Sequence, residues 1–250
     1  MFRTAPEDAP IPPRALAEEA ARTGLPDAAS LDRLLADAAP VQIVRVAREV
    51  IGREHLAVVS SFGTESAALL KLVSEVDPAI PVLLVDTGWL FPETLAHRDA
   101  LVAMLGLTDV RSIAPDPNKL EQRDPSADLW STNPDACCAL RKVEPLADTL
   151  APFAAWLNGR KRYQGGQRTH IPVVEQDGAR LKFNPLARVS LADVAAIAKS
   201  AGLPPHPLAK FGFTSVGCMP CTRRTLVGED MRAGRWSGTS KTECGIHTSL

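Results

Sequence analysis

The chain has 250 residues, 28 Lys and Arg against 29 Asp and Glu, a net charge of -1 and 45% hydrophobic residues. Such a balance belongs to a soluble globular domain with a substantial core, and it excludes a global basic field that would recruit nucleic acid or an anionic membrane. Five cysteines, with no export signal and no apolar run long enough to cross a bilayer, predict a reducing, cytoplasmic setting and leave each thiol to metal binding, catalysis or packing.

Residues 1–13 are Pro-rich and read as a disordered tail; residues 14–222 read as one α/β domain and 223–250 as a flexible C-terminal segment. Amphipathic spacing predicts short helices near 14–23, 28–38 and 41–52. "LAVVSS" (56–61) is an apolar run ending in small polar residues, a buried strand leading into a loop, and "ESAALLKLVSEV" (65–76) has helical spacing. "PVLLVDTG" (81–88) repeats the strand, "PETLAHRDALVAML" the helix, and "DVRSIAP" predicts a third strand. Strands alternating with helices imply right-handed βαβ units, hence a doubly wound, mostly parallel sheet whose ligands sit beyond the C-terminal strand ends. The strand exits "SSFGTES" and "DTGWLFPET" are therefore the places to look for a site. Further on, Asn133, Pro134 and Asp135 open a helix well, since they supply a cap, a tolerated first-turn proline and a charge suited to the dipole. "AAWLNG" predicts a strand, "IPVVEQDGARLKFNP" a hairpin turning at Asp177-Gly178, and "SLADVAAIAKSAG" a capped helix ending at Gly202. Beyond 203 the chain reads as loop-rich.

Five stretches carry chemistry. "SSFGTES" turns from strand to helix, so its backbone N–H groups and the helix N-terminus suit an anion, although an ordinary capped turn has the same pattern. "NGRKRYQGGQR" (158–168) holds Arg160, Lys161, Arg162 and Arg168 without an acid; it reads either as a solvated face or, with Gly165-Gly166 beside it, as a seat for a multiply charged anion. Adjacent Cys137 and Cys138 close a disulfide only under strain, and Cys218 and Cys221 form C-x2-C in a late Gly/Pro loop. Four thiolates from two segments suit zinc or an iron–sulfur cluster, and neighbouring helical positions diverge by about 100°, which a wide cluster accommodates more readily. Cys244, in "KTECGIH" with Lys241 and His247 nearby, is a candidate nucleophile, because neighbouring cations lower a thiol pKa.

Taken together, "SSFGTES", "DTGWLFPET", "CCALRKVEPL", "GRKRYQGGQR", "GFTSVGCMPCT", "RAGRW" and "KTECGIH" resemble, in that order over about residues 55–247, the assimilatory sulfonucleotide reductases. The likeness is greater to the branch that reduces adenylylsulfate (APS) and carries a [4Fe-4S] cluster. This resemblance implies an adenine nucleotide α-hydrolase-like fold, related to the PP-loop ATPases. It implies cluster ligation by Cys137, Cys138, Cys218 and Cys221, and attack by Cys244 on the sulfonate sulfur to give S-sulfocysteine and AMP. Thioredoxin, or a glutaredoxin-like reductant, would then release sulfite. Lys142, Arg168, Arg232, Arg235 and His247 would hold the phosphosulfate. Ser60, Ser61, Phe62, Gly63, Thr64, Glu65 and Ser66, the strand exit with Leu84, Asp86, Thr87 and Gly88, and Gly159 would hold the nucleotide. The chain departs from the family pattern in lacking tryptophans in "LARVSLADVAAI" and in having a single Trp in "RAGRWSGTSK". Rival readings are a reductase of the 3′-phosphorylated nucleotide (PAPS) or of both, a PP-loop tRNA-thiolating protein, and a non-catalytic metal-binding module. The second would want an SGGxDS-type loop and a basic surface.

Overall fold

A computed structural model describes residues 26–239 and 241–247. The predicted tail and the helix near 14–23 lie outside the described residues. The chain begins with α1 (Ala28–Leu34), capped by Asp27, whose carboxylate accepts from Ser30 N–H, and α2 (Pro40–Ile51). Strand β1 (Leu56–Val59) leads through the Ser60 loop into α3 (Ser66–Val76), and β2 (Val82–Val85) into α4 (Pro92–Leu105). Strand β3 (Val110–Ile113) follows, then short helices α5 (Pro117–Arg123), α6 (Leu129–Thr132) and α7 (Pro134–Cys138). A π-helical turn, Ala139–Val143, joins α7 to α8 (Glu144–Leu150). Strand β4 (Ala155–Leu157), the hairpin β5 (Val174–Asp177) and β6 (Arg180–Phe183), and α9 (Leu191–Ser200) complete the regular structure.

The six strands lie in the order β3-β2-β1-β4-β6-β5, all parallel except the β5–β6 hairpin. Leu56 and Val58 enter one core with α1, α2 and α3, whereas the alternate residues Ala57 and Val59 enter another with Leu146, Leu150 and Trp156. Burial on both faces at period two is why β1 reads as an unbroken apolar run. The chain reverses direction across the sheet between β1 and β4, the position where open α/β sheets leave a crevice at the strand ends. After α9 the chain is mostly loops and short 3-10 turns, as the composition predicted. Among the described residues, no helix is long and apolar enough to cross a membrane.

Candidate active site

A cleft of about 1240 Å3, its open mouth included, lies at that crevice. Its floor is the β1 exit. The loop from Ser60 to Ser66 is tied locally: Phe62 N–H donates to Ser60 Oγ at 3.2 Å, and Ser66 Oγ–H to the Gly63 carbonyl at 2.7 Å. Ser60, Ser61, Gly63, Thr64, Glu65 and Ser66 line the cleft with Leu84, Gly159, Lys142, Arg168, Arg232, Arg235, Cys244 and His247. Four residues marked out in the sequence stand elsewhere. Phe62 is fully buried in the core at φ 48°, and Asp86, Thr87 and Gly88 lie outside the lining. Thr87 instead sits 3.2 Å from Cys218 Sγ through its Oγ1, and Asp86 accepts from Gly88 N–H at 3.0 Å. Asn158, Gln164, Thr214, Trp236 and Glu243 also line the cleft. Trp236 and Glu243 fall inside the motifs "RAGRW" and "KTECGIH", each next to a residue that the sequence marks out, Arg235 and Cys244.

The cations of "NGRKRYQGGQR" do not form a solvated face. Lys161 Nζ, on a side chain 3% exposed, pairs with Glu65 Oε2 at 3.1 Å. Arg160 pairs with Glu175 and donates to Asn184 Oδ1 at 3.1 Å, and Arg162 Nε donates to the Ile171 carbonyl at 2.9 Å. Arg168 forms a fork on Glu243, with Nε to Oε2 at 2.5 Å and Nη2 to Oε1 at 2.7 Å. Burial lowers the pKa of Arg160 and of Arg232 to about 10, while Glu243, despite its burial, is held down to about 2 by the guanidinium of Arg168 and the charge of Arg232.

The tail closes the cleft. Cys244 is 9% exposed, and its N–H donates to Glu243 Oε1 at 2.8 Å. The His247 ring lies parallel to Trp156 at 6.1 Å, and its carbonyl accepts from Lys182 Nζ at 3.5 Å. The Cys138 thiol donates to Cys244, which with the charges of Lys142 and Arg235 holds the Cys244 pKa well below that of an ordinary thiol. Cys138 is raised correspondingly, by that same bond and by burial. Burial works against the Lys142 ammonium, but the charges of Cys218, Cys244 and Cys138 outweigh it and raise its pKa.

Beside this lies the thiol group. Cys137 and Cys138 end α7, opened by Asn133 Oδ1 accepting from Ala136 N–H at 3.1 Å, and the π turn begins at the next residue. A π turn changes the angular step between successive side chains, and such turns concentrate at functional sites. The C-x2-C loop is stitched to the β2 exit by Met219 N–H donating to the Trp89 carbonyl at 2.7 Å and by a bridge between Leu90 and Cys218. Cys137, Cys138 and Cys218 are buried, Cys221 partly so, and all five cysteines are free thiols. Burial and the charges of Cys218 and Cys221 push Cys137 up to about 11, against the opposing charge of Arg141. Among the described residues, no three His, Cys, Asp or Glu are grouped to close on one metal ion.

Residues 55–224 match the family described as the phosphoadenosine phosphosulfate reductase domain. The chain is 48% identical over 223 residues to the adenosine 5′-phosphosulfate reductase of Mesorhizobium japonicum, covering 89% of this chain and 87% of that protein. It is 43% identical to the adenosine 5′-phosphosulfate reductase of Streptomyces coelicolor, over 86% of this chain and 91% of that one. It is 40% identical to the phosphoadenosine 5′-phosphosulfate reductase of Gloeobacter violaceus, over 87% of this chain and 92% of that one. Among solved structures, the phosphoadenylyl-sulfate reductase of Candida auris superposes with a TM-score of 0.65 at 24% identity, over 78% of this chain and 95% of that one, a likeness of fold. Together with the α/β fold and its strand-end cleft, these matches place the chain in the phosphoadenosine phosphosulfate reductase family.

Proposed function

We propose that the protein reduces APS to sulfite and AMP through Cys244. The observation that carries this reading is that Cys244 lines, together with Lys142 and Arg235, a nucleotide-sized cleft at the β1 exit. The Ser60–Ser66 loop, Leu84 and Gly159 would hold the nucleotide. Lys142, Arg168, Arg232, Arg235 and His247 would set the positive field around the phosphosulfate, stabilising the charge that develops on the departing phosphate.

In the first step the Cys244 thiolate forms a bond to the sulfonate sulfur. The S–O bond breaks, its electron pair leaves on AMP, and S-sulfocysteine remains. A dithiol of the thioredoxin or glutaredoxin class then attacks Cys244 Sγ, sulfite departs with the S–S pair, and the second thiol resolves the mixed disulfide. Two electrons from the dithiol restore Cys244. Since Cys244 is buried, the tail must lift for a protein thiol to reach it. A cytoplasmic setting, which keeps thiols reduced, suits this cycle.

Cys137, Cys138, Cys218 and Cys221 fit a [4Fe-4S] cluster: all four are thiols without a disulfide, and the buried Arg141 beside Cys137 keeps an Nε–H with no partner, a donor suited to cluster sulfur. When bound, the cluster would tie the α7 end to the C-x2-C loop and add negative charge that Lys142 and Arg141 balance.

APS is favoured over PAPS because Arg160, Lys161 and Arg162, the cations available for a 3′-phosphate, are engaged by Glu175, Glu65 and the Ile171 carbonyl. The test is intact-protein mass spectrometry after anaerobic incubation with APS or PAPS and no reductant. A gain of one sulfonate on Cys244, faster with APS and removed by thioredoxin, is the expected result. A cluster-loaded protein that takes up no sulfonate from either nucleotide would overturn the reading.

A further inference from the structure

Residues 116–136 run over the surface between β3 and the cysteine pair, and a single residue of that stretch is buried, Asp124. A carboxylate that enters the interior without apolar neighbours to carry it needs donors on both oxygens. Its Oδ1 accepts from the backbone N–H of Asp128 at 3.0 Å and of Leu129 at 3.1 Å, where α6 opens. The turn that delivers these two groups holds Ala127 at φ 53°, a left-handed backbone that costs an alanine free energy. Its Oδ2 accepts from Arg141 Nη2 at 2.8 Å, with the Arg141 and Asp124 side chains 8% and 0% exposed. The two oxygens thus have separate tasks, one within the surface stretch and one on the π turn that follows Cys138.

Arg141 lies where the two cysteine segments meet. Its guanidinium carbon is 3.8 Å from the centroid of the Trp89 ring, and Nη1 donates to the Thr87 carbonyl at 3.3 Å. Thr87 and Trp89 form the β2 exit, to which the C-x2-C loop is fixed. Thr87 Oγ1 lies 3.2 Å from Cys218 Sγ, Trp89 N–H donates to that same Oγ1 at 3.3 Å, and the Trp89 carbonyl accepts from Met219 N–H at 2.7 Å. Arg141 Nε remains buried without a partner. A long, flexible side chain is set in one orientation by the Asp124 carboxylate, and the same charge offsets the cost of burying the cation.

We propose that Asp124 is a positioning residue for the four-cysteine site: through Arg141 it clasps the Cys137–Cys138 turn to the β2 exit that carries Cys218 and Cys221, and it leaves the Arg141 Nε–H for a sulfur of the bound group. The inference rests on the cluster reading given above and deepens it, since it assigns the spacing of the two thiol pairs to a carboxylate outside both cysteine motifs. Ligands that come from two loops reach one centre only if something else holds the loops together, and Asp124 supplies that hold from the one point where the surface stretch turns inward.

The test uses the full-length protein loaded with iron and sulfide under anaerobic conditions. Asp124→Asn keeps an oxygen for the Asp128 and Leu129 N–H groups and turns an NH2 towards Arg141 in place of the carboxylate. Iron release to a ferrous chelator is followed by absorbance, the Mössbauer spectrum reports the surroundings of the irons, and far-UV circular dichroism reports the helices. Groups that orient the ligands of a metal site without binding it are worth about 10- to 100-fold in retention, so Asp124→Asn should release iron about tenfold faster or more, with an altered Mössbauer spectrum and unchanged helix content. Arg141→Gln should behave alike, and Asp124→Asn/Arg141→Gln should release iron no faster than the quicker single variant, because the two residues act as one unit. Should Asp124→Asn fail to accumulate as folded protein, the double variant, which buries no unpaired cation, carries the same comparison with Arg141→Gln. Release from Asp124→Asn within about twofold of the parent, an unaltered Mössbauer spectrum, or single effects that multiply in the double variant would overturn the proposal. A parent protein that takes up no iron would remove the cluster reading and this inference with it; a parent that does, with Asp124→Asn holding its iron equally well, would remove this inference alone.

Discussion

Glu65 sits where the nucleotide loop meets α3, and it holds three side chains at once. Its Oε2 lies 3.1 Å from Lys161 Nζ and accepts from Gln164 Nε2 at 2.6 Å, while its Oε1 accepts from the Tyr163 hydroxyl at 2.5 Å. Glu65→Ala would leave the Lys161 ammonium buried with only the Glu65 backbone carbonyl, 3.4 Å away, to accept from it. Breaking a buried ion pair on one side typically costs about 3–5 kcal/mol. At a slope of about 2 kcal/mol per molar, that is a urea midpoint roughly 2 M lower. Removing the stranded charge as well, in Glu65→Ala/Lys161→Met, should restore about 2 kcal/mol, because two apolar groups leave no uncompensated ion. Burial foremost already depresses the Lys161 pKa, and without Glu65 it falls further. The unfolded chain then binds more protons than the folded one between that lowered pKa and about 10.4, so the single variant should regain stability as pH rises from 7 to 9. Urea denaturation followed by tryptophan fluorescence, at both pH values, measures all of this. A single variant within about 1 kcal/mol of the parent, or a double variant no more stable than the single, would refute the view that Lys161 depends on Glu65.

Cys138→Ala should lower both iron content and turnover, whereas Cys244→Ser should keep its iron and lose turnover; iron assay and visible absorbance separate the two, and an iron-replete Cys138→Ala protein would sink the four-ligand assignment. A Cβ on Gly217 would run into the Arg235 guanidinium, so Gly217→Ala should reduce APS affinity by about tenfold while leaving the melting temperature within a few degrees, as read by calorimetry and thermal denaturation. His206 is 1% exposed, accepts from Leu208 N–H at Nδ1 and sits 3.0 Å from Thr94 Oγ1 through Nε2. Burial, with the neighbouring His97, pushes its pKa down to about 4. The folded chain resists this proton, so stability is full above pH 6.5 and falls as pH drops towards 4, by roughly 3 kcal/mol in total. Denaturation midpoints at pH 7 and pH 5 should diverge in the parent and converge in His206→Gln; equal divergence in both would place the acid sensitivity elsewhere.

Much of this architecture is local enough to be legible in the residues. The apolar runs at 56–59 and 82–85 are strands because both faces of a parallel sheet are covered, and Asn133 and Ser190 are caps where their spacing predicts them. The turn at Asp177-Gly178 is also where it was expected, with Gly178 at φ 60°. The loop from Ser60 reaches the cleft for the same reason: a strand that ends in small polar residues at a parallel sheet must deliver them to the ligand side. Phe62 was the exception in that loop. Its left-handed backbone turns the ring into the core, a choice made by packing and not by its neighbours in sequence.

Composition, period and spacing thus determined the α/β class and the β1 exit that lines the cleft, since each depends on residues within a few positions of one another. Only the tertiary structure decided the strand order β3-β2-β1-β4-β6-β5, the π turn after Cys138 and the partners of the basic segment. Arg160, Lys161 and Arg168 show no acid among their sequence neighbours, yet Glu175, Glu65 and Glu243 neutralise them from 15, 96 and 75 positions away. Charge acts through space, and which charges meet is set by the crossing of the chain between β1 and β4 and by the docking of the tail.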